Sequence, residues 1–323
     1  MPDQIVILDP LTPERLNRFT ALVPDHFCVR AAKSRDREDQ LEAIRNAKFL
    51  ITGDMPVDEE IMQSGRDDAL VAVHKWGVGY DNIAVETAKA LGIKVLRTTG
   101  SNALPVAETA LALMLALQRH VVAGHVQMLA GKWSKWTIGP HCQTLSVKTV
   151  GLVGLGYIGK RMAKLLRGFE CRVLYAKPSA LSRQEERALA VERVTLHDLT
   201  CQSDVISLHC ALTPDTANLI NAASIATMKD GAILVNTARG GIACEQAVAD
   251  ALYAGKLRGA AFDVFDVEPT PPNNPLLSAP NAIVTPHIAS QAADNYAKTV
   301  NRMMANLTAL ARGEQPPPLD VVV

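Results

Sequence analysis

Three charged side chains stand in short segments that each directly follow an apolar run typical of a strand: Arg239, Glu268 and His287. An arginine can hold a planar carboxylate with two hydrogen bonds, and a histidine can transfer a proton near neutral pH. A glutamate bonded to that histidine fixes its tautomer and favours its protonated form. Together the three residue types suit the reduction of a 2-keto acid.

A glycine-rich turn with the spacing GxGxxG lies between a predicted strand and a predicted helix. Gly154 permits the tight turn, Gly156 lets the backbone approach a pyrophosphate, and Gly159 lets the helix pack on the strand. The amides of Tyr157 and Ile158, at the helix N-terminus, can donate to phosphate oxygens. In this setting the motif predicts a dinucleotide site.

The segment after the next predicted strand bears on which nicotinamide cofactor binds. In NAD sites an acid about 20 residues beyond the glycines accepts hydrogen bonds from the ribose hydroxyls. Here Lys177 and Ser179 occupy that region, and the next acid is Glu185. A lysine attracts a 2′-phosphate and a serine can bond to it, so the sequence favours NADP(H). The alternative is NAD(H) held by other contacts.

Strand-like runs that alternate with helical patterns predict an α/β fold with parallel sheets, which bind ligands at the carboxyl ends of their strands. Between two such series, residues 108–130 are so apolar that they predict one long helix, buried in a core or against a second subunit. The predicted strands are residues 5–8, 47–51, 70–74 and 94–96, then 149–153, 172–175, 205–208, 232–236, 259–262 and 282–285.

These segments resemble the D-isomer-specific 2-hydroxyacid dehydrogenase family over nearly the whole chain. The motifs that carry the resemblance, besides those above, are the loop at residues 77–83, the segment 102–108 and the turn 207–213. Ala211 stands where the family usually has proline, and Pro105 where it often has a small residue. Lys177 is the departure that touches cofactor choice.

The resemblance implies a role for each matching residue of the site. It implies an arginine that clamps the substrate, a histidine that is the acid/base and a glutamate that supports the histidine. It also implies that two backbone amides of the loop at 77–83 receive the substrate carboxylate, and a lysine just before that loop is placed to assist. The catalytic residues are then Arg239, Glu268 and His287, and the substrate-binding residues are Lys75, Val78 and Gly79.

For the cofactor, the resemblance implies that Asp263 bonds the nicotinamide carboxamide and that Thr237 and Ala238 line the nicotinamide pocket. It places Cys210 in the turn on the adenine side. Outside the glycine turn and the segment with Lys177 and Ser179, the resemblance thus implies four cofactor-binding residues: Cys210, Thr237, Ala238 and Asp263.

For the fold, the resemblance implies two Rossmann-like domains. A discontinuous substrate domain, residues 1–100 and 290–323, would hold an inserted dinucleotide-binding domain, residues 101–289. The family is typically dimeric through its cofactor domains, which would account for the apolar helix at residues 108–130.

Substrate choice is read from the loop after the second predicted strand, residues 52–56. It contains no Lys or Arg, and Asp54 would repel a phosphate, so 3-phosphoglycerate is disfavoured. Glyoxylate or hydroxypyruvate is the expected substrate, with a bulkier 2-keto acid as the next choice. The same family contains corepressors that sense nicotinamide cofactors and relatives that oxidise formate or phosphite, and these are the alternative functions.

Composition narrows the class of protein. The chain has 323 residues, 33 Lys and Arg, and 33 Asp and Glu, so its formal net charge is zero. That balance argues against a nucleic-acid partner. The N-terminal residues lack the basic and apolar regions of a signal peptide. No apolar run is long enough to span a membrane. The six cysteines are scattered along the chain, which is typical of free thiols in a cytoplasmic protein. We expect no metal, because adjacent His209 and Cys210 in a strand would point to opposite faces.

Overall fold

The computed structural model describes residues 2–323 and contains twelve strands and thirteen α-helices in that range. The strands are β1 (Asp3–Ile7), β2 (Phe27–Ala31), β3 (Phe49–Thr52), β4 (Ala72–Lys75), β5 (Lys94–Leu96), β6 (Thr149–Val153), β7 (Arg172–Ala176), β8 (Val191–Arg193), β9 (Val205–Leu208), β10 (Ala232–Asn236), β11 (Leu257–Phe262) and β12 (Ala282–Val284). The helices are α1 (Pro13–Thr20), α2 (Arg37–Ala43), α3 (Glu59–Asp68), α4 (Val85–Leu91), α5 (Ala103–Gln118), α6 (Val121–Leu129), α7 (Lys135–Ile138), α8 (Tyr157–Leu166), α9 (Arg183–Leu189), α10 (Leu196–Gln202), α11 (Ala222–Thr227), α12 (Glu245–Tyr253) and α13 (Tyr296–Ala311).

The chain divides into two compact units. The first comprises residues up to 102 together with 291–323, and the second comprises residues 103–290. Each unit has its own parallel sheet and its own hydrophobic clusters, which confirms the predicted α/β class with two parallel-sheet regions.

The sheet of the first unit has the strand order β2-β1-β3-β4-β5, with every pair parallel. Apolar residues cover both faces of this sheet, as a parallel sheet flanked by helices requires. The strand order reverses between β1 and β3. There the carboxylate of Asp9 accepts the amides of Gly53, Asp54 and Met55, which fixes the loop after β3.

The sheet of the second unit has the order β12-β11-β10-β9-β6-β7-β8, again with every pair parallel. Its order reverses between β6 and β9, which is where a doubly wound sheet binds its ligand. The glycine turn, the Lys177 segment and the segments that carry Arg239, Glu268 and His287 each follow a strand of this sheet, and because all of its strands are parallel these segments lie at one edge.

The long helix predicted for residues 108–130 is wrong. Helix α5 ends at Gln118, and α6 begins at Val121 with its axis bent by 64°. His120, between them, has a left-handed backbone with φ of 52°, which interrupts the helical hydrogen bonds. Half of α5 is buried, whereas no residue of α6 is buried in the chain.

Within residues 2–323 no single helix has the length and apolar character of a membrane span, although α5 and α6 pass that test if taken together.

Candidate active site

The glycine turn has the geometry that a dinucleotide requires. Gly154 has a φ of +92°, and a Cβ there would lie 2.7 Å from the backbone nitrogen of Cys210. A Cβ on Gly159 would lie 2.6 Å from the Gly154 carbonyl oxygen, so α8 packs directly on the turn. A Cβ on Gly156, by contrast, would meet no atom within 4 Å. The open space lies where a pyrophosphate would approach the N-terminus of α8, so these residues fit the cofactor.

Tyr157 and Ile158 are the first two residues of α8, so their amides lack helical carbonyl partners. Both amides lie in the first turn, where the positive end of the helix dipole favours an anion.

The segment after β7 is held from two sides. The guanidinium of Arg193 donates to the carbonyl oxygens of Lys177 and Pro178, at 3.2 and 2.8 Å. On the other side, the amide of Leu181 donates to the buried Tyr175 hydroxyl at 3.0 Å. Sequence patterns did not indicate Arg193, because its contact joins two loops that are distant in sequence.

The carboxylate nearest in sequence to this segment is occupied elsewhere. Glu185 accepts the Lys160 ammonium at 2.8 Å and caps α9 through Ser182. The bond to Lys160, followed by those to Ser182, lowers the pKa of Glu185 to about 2. Glu185 is thus ionised and engaged with Lys160 and Ser182.

Arg239 lies in the loop after β10, which we call the arginine loop, residues 237–241. The buried side chain of Asn236 shapes it by donating to the Arg239 carbonyl oxygen at 2.8 Å and accepting the Ala238 amide at 3.1 Å. The Arg239 guanidinium, which is half-buried, donates to the Ala238 carbonyl oxygen at 2.8 Å. Thr237 is buried, and its hydroxyl has no hydrogen-bond partner among the described residues.

Glu268 and His287 lie in the segments that follow two neighbouring strands, β11 and β12, and meet in a hydrogen bond. The loop after β11, which we call the glutamate loop, covers residues 263–274 and carries Glu268. Nδ1 of His287 lies 2.7 Å from Oε2 of Glu268, and Oε1 accepts the Phe265 amide at 2.9 Å. Burial raises the pKa of Glu268, but the bonds from His287 and Phe265 and the nearby positive charge of Arg239 outweigh it, so the pKa is lowered overall. Because Glu268 is therefore a carboxylate at neutral pH, it holds the histidine in one orientation.

Asp263, the first residue after β11, is fully buried. It accepts the Thr285 hydroxyl at 2.6 Å and the amides of Ile288 and Ala289 at 2.9 and 2.8 Å. These bonds tie the end of β11 to the segment that carries His287, which itself has a left-handed backbone with φ of 51°. The contact with a nicotinamide carboxamide stays a prediction.

Cys210 follows β9 next to the glycine turn, and its burial raises the pKa of the thiol to about 11. The thiol is therefore protonated and unreactive at neutral pH. Burial likewise lowers the pKa of the adjacent His209 to about 4, and neither ring nitrogen has a partner among the described residues. No group of three or more His, Cys, Asp or Glu within residues 2–323 is arranged to hold a metal ion.

The predicted substrate residues of the first unit follow β4. Lys75 is buried, and its ammonium donates to the Gly53 carbonyl oxygen and, at 2.8 Å, to Asn82. Val78 and Gly79 follow Gly77, whose φ is +140° and whose carbonyl oxygen accepts the amide of Thr98 at 2.9 Å. Within this unit the loop is thus fixed at its start. Substrate binding by these three residues stays a prediction.

Comparisons with known proteins agree with this geometry. Residues 111–289 match the model of the NAD binding domain of D-isomer specific 2-hydroxyacid dehydrogenases. A hydroxypyruvate reductase of Thermotoga maritima is 42% identical over 74% of this chain and 76% of its own. A glyoxylate reductase of Korarchaeum cryptofilum is 37% identical over 82% and 79%. The crystal structure of an NAD-dependent formate dehydrogenase from Staphylococcus aureus in complex with NAD is 27% identical, with a TM-score of 0.88 over 99% of both chains.

Proposed function

The chain belongs to the D-isomer specific 2-hydroxyacid dehydrogenase family, and from this we propose that it reduces a small 2-keto acid, glyoxylate or hydroxypyruvate, to the 2-hydroxy acid. It is an oxidoreductase with a nicotinamide cofactor. The observation that carries the proposal is the 2.7 Å hydrogen bond between His287 and Glu268 in the same unit as the glycine turn. A histidine held in this way is the proton donor that a carbonyl reduction needs.

The chemistry divides between cofactor and protein. A nicotinamide cofactor held at the glycine turn by the amides of Tyr157 and Ile158 would supply a hydride for the carbonyl carbon of the substrate. The guanidinium of Arg239 holds the substrate carboxylate and polarises the carbonyl, and Nε2 of His287 delivers a proton to the carbonyl oxygen. Glu268 stabilises the imidazolium before that transfer and fixes its direction through Nδ1. The products are a 2-hydroxy acid and the oxidised cofactor, so one hydride and one proton account for the reaction.

We further propose that NADP(H) is preferred over NAD(H). Lys177 and Ser179 stand where an acid would exclude a 2′-phosphate, and Arg193 brings a second positive charge to the same segment. The carboxylate nearest in sequence, Glu185, is paired with Lys160, and the next one, Glu186, accepts the Tyr175 hydroxyl. NAD(H) held by other contacts remains the alternative, and the ratio of specificity constants for the two cofactors decides between them.

We also propose a homodimer formed through the second unit. Helix α6 and the segment after it expose a run of large apolar side chains that soluble monomers seldom leave in contact with water. Sedimentation velocity should give the mass of a dimer, and charged substitutions at Leu129 and Trp133 should give a monomer. The exposed side chains are Val121, Val122, Val126, Met128, Leu129, Trp133 and Trp136.

Substrate size and charge are tested by one panel of assays. The loop after β3 exposes Asp54, so a phosphorylated acid should be a poor substrate compared with glyoxylate and hydroxypyruvate. The panel, run with both cofactors, also includes formate and phosphite, because relatives oxidise such anions. Oxidation of formate to CO₂ transfers only a hydride and protonates no carbonyl oxygen, so the His287–Glu268 pair would have no acid/base role there. Turnover of no keto acid would favour a cofactor-sensing binding protein instead.

Cytoplasmic location and the exclusion of nucleic-acid and membrane partners stay predictions.

A further inference from the structure

The arginine loop and the glutamate loop are in direct backbone contact. A Cβ on Gly240, in the arginine loop, would fall 2.0 Å from the carbonyl oxygen of Phe265 in the glutamate loop. No side chain fits in that space, so the loops meet only because residue 240 is glycine. Arg239 precedes the contact by one residue and Glu268 follows it by three. Any separation of the loops would therefore move both side chains.

Asp266 fastens this contact with its side chain. Its Oδ1 accepts the amide of Gly241 at 2.5 Å, which ties the end of the arginine loop to the glutamate loop. Its own amide donates to Oε1 of Glu245 at 2.9 Å. Asp266 thus links three segments: the two loops and the first residue of α12.

Glu245 secures the glutamate loop at a second point. It is 9% exposed, and its Oε2 accepts the side-chain amide of Asn274, itself 7% exposed, at 2.6 Å. Burial raises the pKa of Glu245, against the lowering effect of the bond from the Asp266 amide. A buried carboxylate is costly unless donors satisfy it. Here both oxygens are satisfied by residues 266 and 274, so the side chain braces the loop between them.

We propose that Glu245 and Asp266 are positioning residues, which hold the arginine loop and the glutamate loop in one arrangement and so set the direction of the Arg239 clamp and of the Glu268 carboxylate beside His287. The consequence for activity rests on the proposed function. The consequence for the ligand-free protein does not, because the Glu268–His287 bond is present without substrate.

The test compares Glu245→Gln, Glu245→Ala and Asp266→Asn with a matched control, Asp204→Asn. Asp204 also accepts a backbone amide from another segment, that of Thr149 at 2.8 Å, but at the amino ends of β6 and β9, the opposite edge of the sheet. Two quantities are measured in each full-length variant. One is the pKa of His287 in ligand-free, ¹³C-histidine-labelled protein by NMR, with the resonance identified by its loss in His287→Asn. The other is kcat and KM for the keto acid and KM for the cofactor.

We expect the Glu245 and Asp266 variants to lower the pKa of His287, because a displaced Glu268 stabilises the imidazolium less and because each variant also removes a negative charge near Glu268. Glu245→Asp keeps the charge but is too short to reach residues 266 and 274 together, so a fall in kcat/KM in this variant isolates the positional effect, and wild-type kcat/KM in it would contradict that effect. We expect kcat/KM for the keto acid to fall roughly 10- to 100-fold in Glu245→Ala, the usual effect of misplaced catalytic groups, with the cofactor KM changed less than about 3-fold. Asp204→Asn should lower the thermal midpoint without either effect. The milder Glu245→Gln and Asp266→Asn variants keep the test decisive if Glu245→Ala does not fold.

An unchanged His287 pKa in folded Glu245 and Asp266 variants would overturn the positioning role, whatever their activity. Equal changes in Asp204→Asn would also overturn it, because they would show a general loss of stability. A wild-type protein that turns over no keto acid would instead contradict the proposed function. The NMR titration would then still decide whether Glu245 and Asp266 hold the pair.

Discussion

Nδ1 of His287 lies 2.7 Å from Oε2 of Glu268, and each side chain is about one-third exposed. The pair is thus reachable from solvent, while the Phe265 amide holds Glu268 and Asp263 holds the backbone just after His287. An acid/base group needs both properties, because a proton must arrive from water and leave toward one defined atom.

Glu268→Gln should shift the alkaline limit of the reductase activity to lower pH. An amide stabilises the imidazolium less than a carboxylate does, so His287 should lose its proton at lower pH. Because the pKa of Glu268 is lowered in the folded protein, its stabilising effect is present above the ordinary carboxyl pKa and is lost as pH falls through the lowered value. The pH profile of kcat/KM measures the shift, and we expect a loss of about 10- to 100-fold at alkaline pH, the usual size of the effect of removing an opposite charge beside a titrating group. If kcat/KM of the variant fell on the alkaline side at the same pH as that of the wild type, Glu268 would not support His287.

Arg239→Lys should raise KM for the keto acid and lower kcat together. The ammonium keeps the charge but loses the planar pair of donors that matches a carboxylate. Steady-state kinetics with the favoured cofactor measures both constants, and the cofactor dissociation constant serves as the control. If only the thermal midpoint changed, Arg239 would be a structural residue of its loop.

Lys177→Asp should erase or reverse the preference for NADPH. We expect the wild type to favour NADPH by about 5- to 30-fold, an advantage of about 1–2 kcal/mol that grows at low ionic strength, because a lysine near the surface is partly screened. Lys148→Asp, just before β6 at the opposite edge of the sheet, is the matched control for net charge. Equal specificity constants for the two cofactors in the wild type, independent of salt, would contradict the preference.

Gly240→Ala should lower both stability and activity. The added Cβ would lie 2.0 Å from the Phe265 carbonyl oxygen, so the two loops must separate. We expect a loss of about 1–3 kcal/mol in the free energy of unfolding, typical of overpacking, measured by urea denaturation. Gly168→Ala is the control, because a Cβ there meets no atom within 4 Å. Equal stability of the two variants would show that the loops yield without cost.

Much of the fold could be predicted from local patterns. Strands β6, β9 and β10 begin and end where predicted, because each is an apolar run bounded by polar or turn-forming residues. Two edge strands were missed. β2 includes the exposed Arg30, and β8 has only three residues, two of them charged and exposed, so neither has the pattern of a buried strand.

The break in the apolar segment at His120 had no sequence signal, because neither glycine nor proline marks it. Its left-handed backbone depends on tertiary contacts that a local pattern does not contain.

For the site, the residues in recognisable motifs could be singled out, whereas the residues that fix them could not. Asp9, Arg193, Glu245 and Asp266 act through bonds to segments distant in sequence, so only the folded chain reveals them. Asp263 was singled out for a cofactor contact, and the structure adds three bonds that tie it to the segment carrying His287.

The initial rate of NAD(P)H oxidation with glyoxylate and with hydroxypyruvate, measured for the wild type beside His287→Ala, tests the central claim most directly. We predict wild-type turnover of at least one of the two acids and a turnover lower by about 10²–10⁴ in the variant, the range for loss of a positioned acid/base. The dissociation constant of the cofactor should be nearly unchanged, because the dinucleotide rests on the glycine turn. Turnover of His287→Ala at the wild-type rate would contradict the assignment of His287 as the proton donor.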